Sequence, residues 1–244
     1  MHPLANERID VEQLLAANMV LRIGIAMLQG ARHEHAQAIH SAANQLDLEA
    51  ETVELRTAAD LEAGLDALIL PGGESTTMRL ASRSKGLLEA IYDWMDEHPE
   101  APVIGTCAGA ILLCDPPEGR HPFINAEIER NSFGRQFESF QAELEVKLDE
   151  KQSEPVEEIA YVDKNGHTSL KVEATVSGSG FPGIFIRAPR FKSCADEAIA
   201  HLGSEVVGVS RSNRIALTFH PELTDDHRFH RWLLLQSSAV QERN

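Results

Sequence analysis

The chain has 244 residues, of which 43% are hydrophobic and 25% charged, values typical of a globular protein with one well-buried domain or at most two small ones. Its 22 Lys and Arg against 38 Asp and Glu give a formal net charge of -16, which argues against binding to a nucleic-acid backbone. Three cysteines without a Cys-x-x-Cys pair argue against a disulfide framework and a structural zinc site, and favour a reducing, cytoplasmic setting. No apolar run is long enough for a membrane span, and the N-terminus lacks the pattern of a secretory signal.

Strands and helices are predicted to alternate through the first half of the chain. Residues 1–19 are predicted to be an N-terminal appendage, and residues 20–244 a single domain. The predicted strands are 20–28, 49–55, 66–70 and one at 103, and the predicted helices are 31–46 and 84–97. This alternation predicts an α/β fold with three layers, in which a mostly parallel sheet is flanked by helices. In such sheets, ligands bind beyond the carboxyl ends of the strands.

The second half is less regular. The predicted strands are 126–130, 142–148, 184–187, 205–209 and 215–219, and a helix at 226–239 closes the chain. Residues 149–182 are predicted to be an insertion. Because Asn165-Gly166 is a strong turn signal between two β-rich runs, we expect this insertion to form a surface β-hairpin.

The stretch from Pro102 to Leu113, PVIGTCAGAILL, has the pattern of a nucleophile elbow. Cys107 lies between an apolar strand and an apolar helix, with a glycine two positions away on each side. Small neighbours are needed because the turn is tight and strained. At a helix N-terminus, unpaired N–H groups and the helix dipole favour a thiolate. A buried structural cysteine beside a glycine-rich turn has the same pattern, so Cys107 needs catalytic partners before it can be assigned a role.

His220 is the candidate base, since it follows an apolar strand at the same edge of the sheet. Glu222 lies two residues further on, across a proline, where a carboxylate can orient the imidazole of His220 as in a catalytic triad. Taken alone, His-Pro-Glu is better explained as a turn that carries an exposed ion pair. His227 and His230 have a spacing that could suit a metal, but they lack a third ligand.

Five stretches, two of which contain Cys107, His220 and Glu222, occur together and in order along the chain. They are ILPGGESTTM (69–78), IGTCAGAILL (104–113), ERNSFGRQ (129–136), FIRAP (185–189) and FHPELTDDHRFH (219–230). As a set they resemble the PdxT/SNO family, the glutaminase subunits of two-protein pyridoxal 5-phosphate synthases within the triad (class I) glutamine amidotransferases. The stretch LQGARHEH (28–35) resembles the family's first loop. The resemblance implies the class I glutamine amidotransferase fold, which is flavodoxin-like.

The resemblance also implies a role for each matching residue. Cys107 is expected to be the nucleophile, His220 the acid and base, and Glu222 the carboxylate that orients it. The expected oxyanion-hole donors are the backbone N–H groups of Gly73 and Ala108. The residues expected to bind glutamine are Gly73, Glu74, Ser75, Arg130, Ile186 and Arg187. Glu74 has an alternative role as a structural carboxylate that fixes its loop.

The reaction implied by the resemblance is hydrolysis of the side-chain amide of L-glutamine to L-glutamate and ammonia through a thioester. The partner implied is the (β/α)8-barrel synthase subunit, in a hetero-oligomeric complex to which the ammonia passes. No metal or cofactor is expected for the glutaminase itself, and no nucleic acid or membrane is expected as a partner. The alternatives are a peptidase-like cysteine enzyme that shares the elbow, and a non-catalytic subunit that only regulates a synthase.

Overall fold

A computed structural model describes residues 20–130, 139–148 and 180–243. The described helices are α1 (Arg32–Leu46), α2 (Ser75–Arg83), α3 (Leu87–Glu97), α4 (Ala108–Cys114) and α5 (Arg228–Gln241). The described strands are β1 (Leu21–Ala26), β2 (Ala50–Leu55), β3 (Ala67–Leu70), β4 (Val103–Thr106), β5 (Ala126–Glu129), β6 (Ser139–Val146), β7 (Gly180–Ile186), β8 (Arg190–Cys194), β9 (Glu197–Leu202), β10 (Glu205–Arg211) and β11 (Arg214–Leu217). None of the described helices has the length and apolar character needed to cross a membrane.

Nine of these strands form one mixed sheet in the order β2-β1-β3-β4-β11-β10-β9-β6-β7. The first five are parallel to one another, and the pairings from β11 to β7 are antiparallel. Strands β5 and β8 form a separate antiparallel pair. The parallel half has the flavodoxin-like order, in which the chain reverses direction across the sheet between β1 and β3.

The central parallel strands β3 and β4 are buried at every residue, which explains why their sequences, ALIL and VIGT, are almost entirely apolar. Alternate residues of β3 and β4 point into two different hydrophobic clusters. Leu68 and Val103 belong to the cluster covered by α2, α3 and α4, whereas Ile69 and Ile104 belong to the cluster covered by α1 and α5. The predicted three-layer α/β architecture is therefore confirmed.

The predicted elements match the structure closely in the parallel half. The strand pair β10 and β11 is also confirmed, and the turn between them contains Ser212 in a left-handed conformation, with φ 52°. Sequence analysis did not predict α2, β8 or β9. Gly180–Pro182, assigned in the sequence to the insertion, belong to β7. The N-terminal appendage and the predicted hairpin around Asn165-Gly166 lie outside the described residues.

The far end of the sheet folds back toward the middle. Three strands separate β7 from β11, yet the backbone N–H of His220, just beyond β11, donates to Ile184 O of β7 at 2.8 Å. Aromatic rings hold this contact, because Phe181 of β7 packs against Phe219 and Phe229 with ring centroids 5.5 and 5.2 Å apart. This curvature brings the residues that follow β7 to the carboxyl edge of the parallel strands.

Helix α4 lies unusually close to the strands beneath it, and Gly109 makes this possible. A Cβ atom built on Gly109 would lie only 1.9 Å from Leu70 O, and one on Gly105 would lie 2.7 Å from Gly109 O. Both glycines of the G-x-C-x-G motif are therefore required by close packing of backbone against backbone, and they fix where the N-terminus of α4 lies.

We expect Gly109→Ala to lower the free energy of unfolding by about 3 kcal/mol, because α4 would have to move away from β3. The matched control is Gly203→Ala, where a new Cβ meets nothing within 4 Å and only the φ of +58° is unfavourable. That control should lose about 1 kcal/mol. Urea unfolding of both variants measures the difference, and equal losses would contradict the close-packing argument.

Candidate active site

Cys107 occupies a strained turn between β4 and α4. Its backbone has φ 50° and ψ -105°, a conformation that costs on the order of 1–3 kcal/mol for a residue other than glycine. The N–H of Cys107 donates to Leu217 O of β11 at 2.8 Å, so the neighbouring strand holds the turn in place. The side chain is 5% exposed, and its Sγ lies 3.9 Å from Ile186 O. The predicted elbow is confirmed as a backbone feature.

His220 and Glu222 form a buried pair next to Cys107. His220 Nδ1 lies 2.7 Å from Glu222 Oε1, and both residues are 6% exposed. Burial alone would lower the pKa of His220, but hydrogen bonds with Cys107 and Glu222 outweigh it and raise that pKa to about 10. Burial likewise opposes ionisation of Glu222, but the neighbouring His35 and His220 lower the pKa of Glu222 overall. Both shifts favour an imidazolium next to a carboxylate at neutral pH.

The two glycine-rich turns are neighbours, as the sequence predicts. A Cβ built on Gly72 would lie 2.5 Å from Cε1 of His220 and 3.3 Å from Cβ of Cys107. Gly72 therefore lies against both catalytic candidates, and any side chain there would displace the imidazole. The loop after β1 braces this turn, since Gln29 Oε1 accepts the N–H of Glu74 at 2.8 Å.

Glu74 caps helix α2. Its carboxylate accepts the N–H groups of Thr76 and Thr77 at 3.0 and 2.7 Å, and the Thr77 hydroxyl at 2.7 Å. The Thr77 hydroxyl and the two N–H groups lower the pKa of Glu74 to about 2. The carboxylate is thus used to fix the PGGES turn, the structural role left open by the sequence. Contact between Glu74 and substrate remains a prediction.

A pocket of about 260 Å³ is lined by the residues predicted to act on or bind a substrate. They are Gly73, Glu74, Ser75, Cys107, Ala108, Arg130, Ile186, Arg187 and His220, and Glu222 lies behind His220. Arg130 reaches Thr76 Oγ1 at 3.0 Å and Asp115 Oδ2 at 3.6 Å. Arg187 follows β7 with φ 43°, and it forms no hydrogen bond or ion pair within the part of the chain that the structure describes.

Two buried histidines behind Glu222, His35 and His230, were not predicted from the sequence to belong to this site. His35 Nε2 lies 3.4 Å from Glu222 Oε2 and 3.2 Å from Thr106 Oγ1, and His35 Nδ1 lies 3.1 Å from His230 Nε2. A signal was present in the sequence. His35 falls on the apolar face of α1 with Ala38, Ile39 and Ala42, spaced by three, four and seven residues.

His230 does not behave as a surface metal ligand. It is fully buried on α5, and burial lowers its pKa well below the usual value. Residues 20–130, 139–148 and 180–243 contain no group of three or more His, Cys, Asp or Glu placed to hold a metal ion. The spacing of His227 and His230 therefore reflects the burial of one ring in the core.

The fold and the site define an α/β protein in which Cys107, His220 and Glu222 lie together at the carboxyl edge of a parallel sheet, an arrangement typical of enzymes that use a cysteine nucleophile. Comparisons with known proteins narrow this class. The model of the SNO glutamine amidotransferase family matches residues 25–162 and 159–239. The chain belongs to this family, and it is a glutamine-hydrolysing enzyme. A peptidase-like assignment is thereby set aside.

Named relatives and a solved structure agree with the family match. The chain is 38% identical over 224 residues to "Pyridoxal 5'-phosphate synthase subunit PdxT" of Thermococcus onnurineus, covering 88% of this chain and 98% of the relative. It is 39% identical over 220 residues to the protein of the same name from Thermus thermophilus, covering 87% and 95%. A crystal structure titled glutamine amidotransferase superimposes with a TM-score of 0.63 at 36% identity, covering 88% of this chain and 98% of that one.

We expect Glu74→Gln to destabilise the protein above pH 5 by about 1 kcal/mol, because an amide caps α2 less well than a carboxylate. The folded-state pKa of Glu74 is depressed to about 2, so its contribution is complete above its unfolded pKa and is lost as pH falls toward 2. The stability difference between wild type and variant should therefore shrink over that range in urea unfolding. A difference that does not change between pH 5 and pH 2.5 would contradict the capping role.

Proposed function

We propose that the chain is the glutaminase subunit of a pyridoxal 5-phosphate synthase. It hydrolyses L-glutamine to L-glutamate and ammonia and delivers the ammonia to a (β/α)8-barrel synthase subunit. One observation carries the catalytic part. A cysteine on a strained elbow lies beside a histidine whose other side is held 2.7 Å from a buried glutamate. The names of the relatives, synthase subunits in two organisms, support the assignment to this pathway and partner.

The catalytic roles follow from the chemistry of these three groups. In the proposed mechanism the thiolate of Cys107 attacks the side-chain amide carbon of glutamine. The oxyanion is met by the backbone N–H groups of Ala108 and Gly73, both in the pocket lining. The raised pKa of His220 keeps a proton on its ring, and this proton goes to the departing ammonia. His220, oriented by Glu222, then takes a proton from the water that cleaves the thioester.

Arg130 and Arg187 are proposed to recognise the α-carboxylate of glutamine, with Ser75 and Ile186 completing the site. Guanidinium groups bind carboxylates in a fixed geometry, and both arginines line the pocket that contains Cys107. The pocket is smaller than the roughly 300–1,000 Å³ of sites for drug-sized ligands, which suits a single amino acid.

The three free thiols support a reducing, cytoplasmic location for the reaction.

We expect Cys107→Ala to abolish glutamate release from glutamine in the presence of the synthase subunit, with a loss of at least about 10³-fold, because the thioester cannot form. The assay measures glutamate with and without the partner, since activity that depends on docking would be missed in the isolated chain. A pull-down with the synthase subunit shows that the variant still docks. Equal glutamate release by wild type and variant would leave a regulatory subunit as the function.

Substitution of either arginine should separate binding from chemistry. Losing a charge-assisted contact costs about 1.5–3 kcal/mol, so Arg187→Ala or Arg130→Ala should raise KM for glutamine about 10-fold to 100-fold. Alkylation of Cys107 by iodoacetamide should remain within twofold of wild type, because the thiol and His220 are untouched. Arg83→Ala, on the exposed end of α2, is the control and should change neither value. An unchanged KM in both pocket variants would refute the carboxylate-binding role.

A further inference from the structure

The carboxylate of Glu222 has two oxygens, and the proposed triad uses only one. Oε1 faces His220 Nδ1 at 2.7 Å, whereas Oε2 is buried and makes no hydrogen bond with any residue in the described ranges. His35 Nε2 lies 3.4 Å from that second oxygen. This separation is longer than that of a typical N–H···O hydrogen bond. A buried carboxylate oxygen needs such a donor, because leaving it without a partner is costly.

Proton positions in this cluster follow from what each atom can accept. An ionised carboxylate accepts only, so the nitrogens that face it, His220 Nδ1 and His35 Nε2, both carry protons. With its proton on Nε2, a neutral His35 ring accepts at Nδ1, and His230 Nε2 must donate to it across 3.1 Å. His230 Nδ1 is then bare, which agrees with its lack of any hydrogen-bond partner among the described residues.

The two other protonation states of His35 each leave a buried nitrogen in an unfavourable contact. If His35 were protonated at Nδ1 only, its Nε2 lone pair would face the negative carboxylate. If it were protonated at both nitrogens, His230 would have to accept at Nε2 and carry a buried, unpartnered N–H at Nδ1. Burial lowers the pKa of both rings, which favours the neutral forms. One arrangement remains, with a proton on Nε2 of each ring.

We propose that His35 is a positioning residue of the Cys-His-Glu site, which holds the second oxygen of Glu222 through its Nε2 proton, and that His230 fixes this tautomer from behind. Nε2 of His35 also lies 3.2 Å from Thr106 Oγ1, in the residue that precedes the nucleophile. His35 therefore links helix α1 to both sides of the site. This assignment rests on the proposed roles of Cys107, His220 and Glu222.

The test compares His35→Leu, which fills the space without a donor, with His35→Gln, which restores one. His40→Ala is the control, since it removes an exposed imidazole from the same helix. We expect His35→Leu to lower kcat for glutamine, assayed with the synthase subunit, about 10-fold to 100-fold with KM within twofold. His35→Gln should recover most of that loss. Equal kcat in the Leu, Gln and wild-type proteins would overturn the proposal, as would equal losses in both variants.

The pH profile adds a measurement that a purely structural role would not change. The titratable groups that face Glu222 are His35 and His220. Those around His35 are Glu222, His220, His230 and Glu34. His227 is a further neighbour of His230. Loss of the Nε2 donor disfavours the ionised carboxylate. The acidic limb of kcat/KM should therefore move up by about one pH unit in His35→Leu and by less in His35→Gln. An unmoved acidic limb in a folded His35→Leu protein would refute the positioning role.

A second readout does not depend on activity and so separates this proposal from the proposed function. Nitrogen-15 spectra of the histidine rings, assigned by the signals lost in His35→Gln and His230→Leu, should show both rings neutral and protonated at Nε2. A His35 ring protonated at Nδ1 would overturn the proposal even in an active enzyme. If His35→Leu does not fold, His35→Asn replaces it, because the shorter Asn side chain does not reach Glu222. Equal activity of the His35→Asn and His35→Gln proteins would then contradict the proposal.

Discussion

The arrangement of the candidate active site depends on the strained backbone of Cys107. A residue other than glycine with φ 50° persists only where its surroundings hold it in that conformation, and three contacts do so. Strand β11 accepts the N–H of Cys107, Gly105 and Gly109 let α4 press against the sheet, and Gly72 closes the turn from the other side. Each contact comes from a different part of the chain, so Cys107 is positioned by the folded sheet rather than by its own loop.

Burial of the neighbouring side chains explains the chemistry around the thiol of Cys107. His220, 6% exposed, and Glu222, also 6%, are removed from water, and there a hydrogen-bonded charge pair can raise the pKa of an imidazole despite burial. Behind them, His35 and His230 extend the polar contacts into the layer of α1 and α5. Two helices that otherwise serve as apolar cover thereby contact the back of the active site.

The residues that line the pocket come from distant parts of the sheet. Cys107 and the PGGES turn follow the parallel strands β4 and β3 near the middle of the sheet, while Ile186 and Arg187 lie at the end of β7, the outermost antiparallel strand. They meet because the phenylalanine cluster of Phe181, Phe219 and Phe229 folds that strand back onto the segment carrying His220. The positions of Ile186 and Arg187, the residues proposed to bind glutamine, thus depend on the packing of the antiparallel half.

The local sequence determined the parallel half of the fold, the elbow and the position of His220, because apolar runs, glycines and strand ends are local signals. It did not place α2, whose nine-residue sequence STTMRLASR is short and mostly polar and whose start is fixed by the cap of Glu74. Nor could it separate a capping from a substrate-binding Glu74. The partnership of His35 with Glu222 was decided by tertiary structure alone, since 187 residues separate two groups that meet only when α1 packs beneath the end of β11.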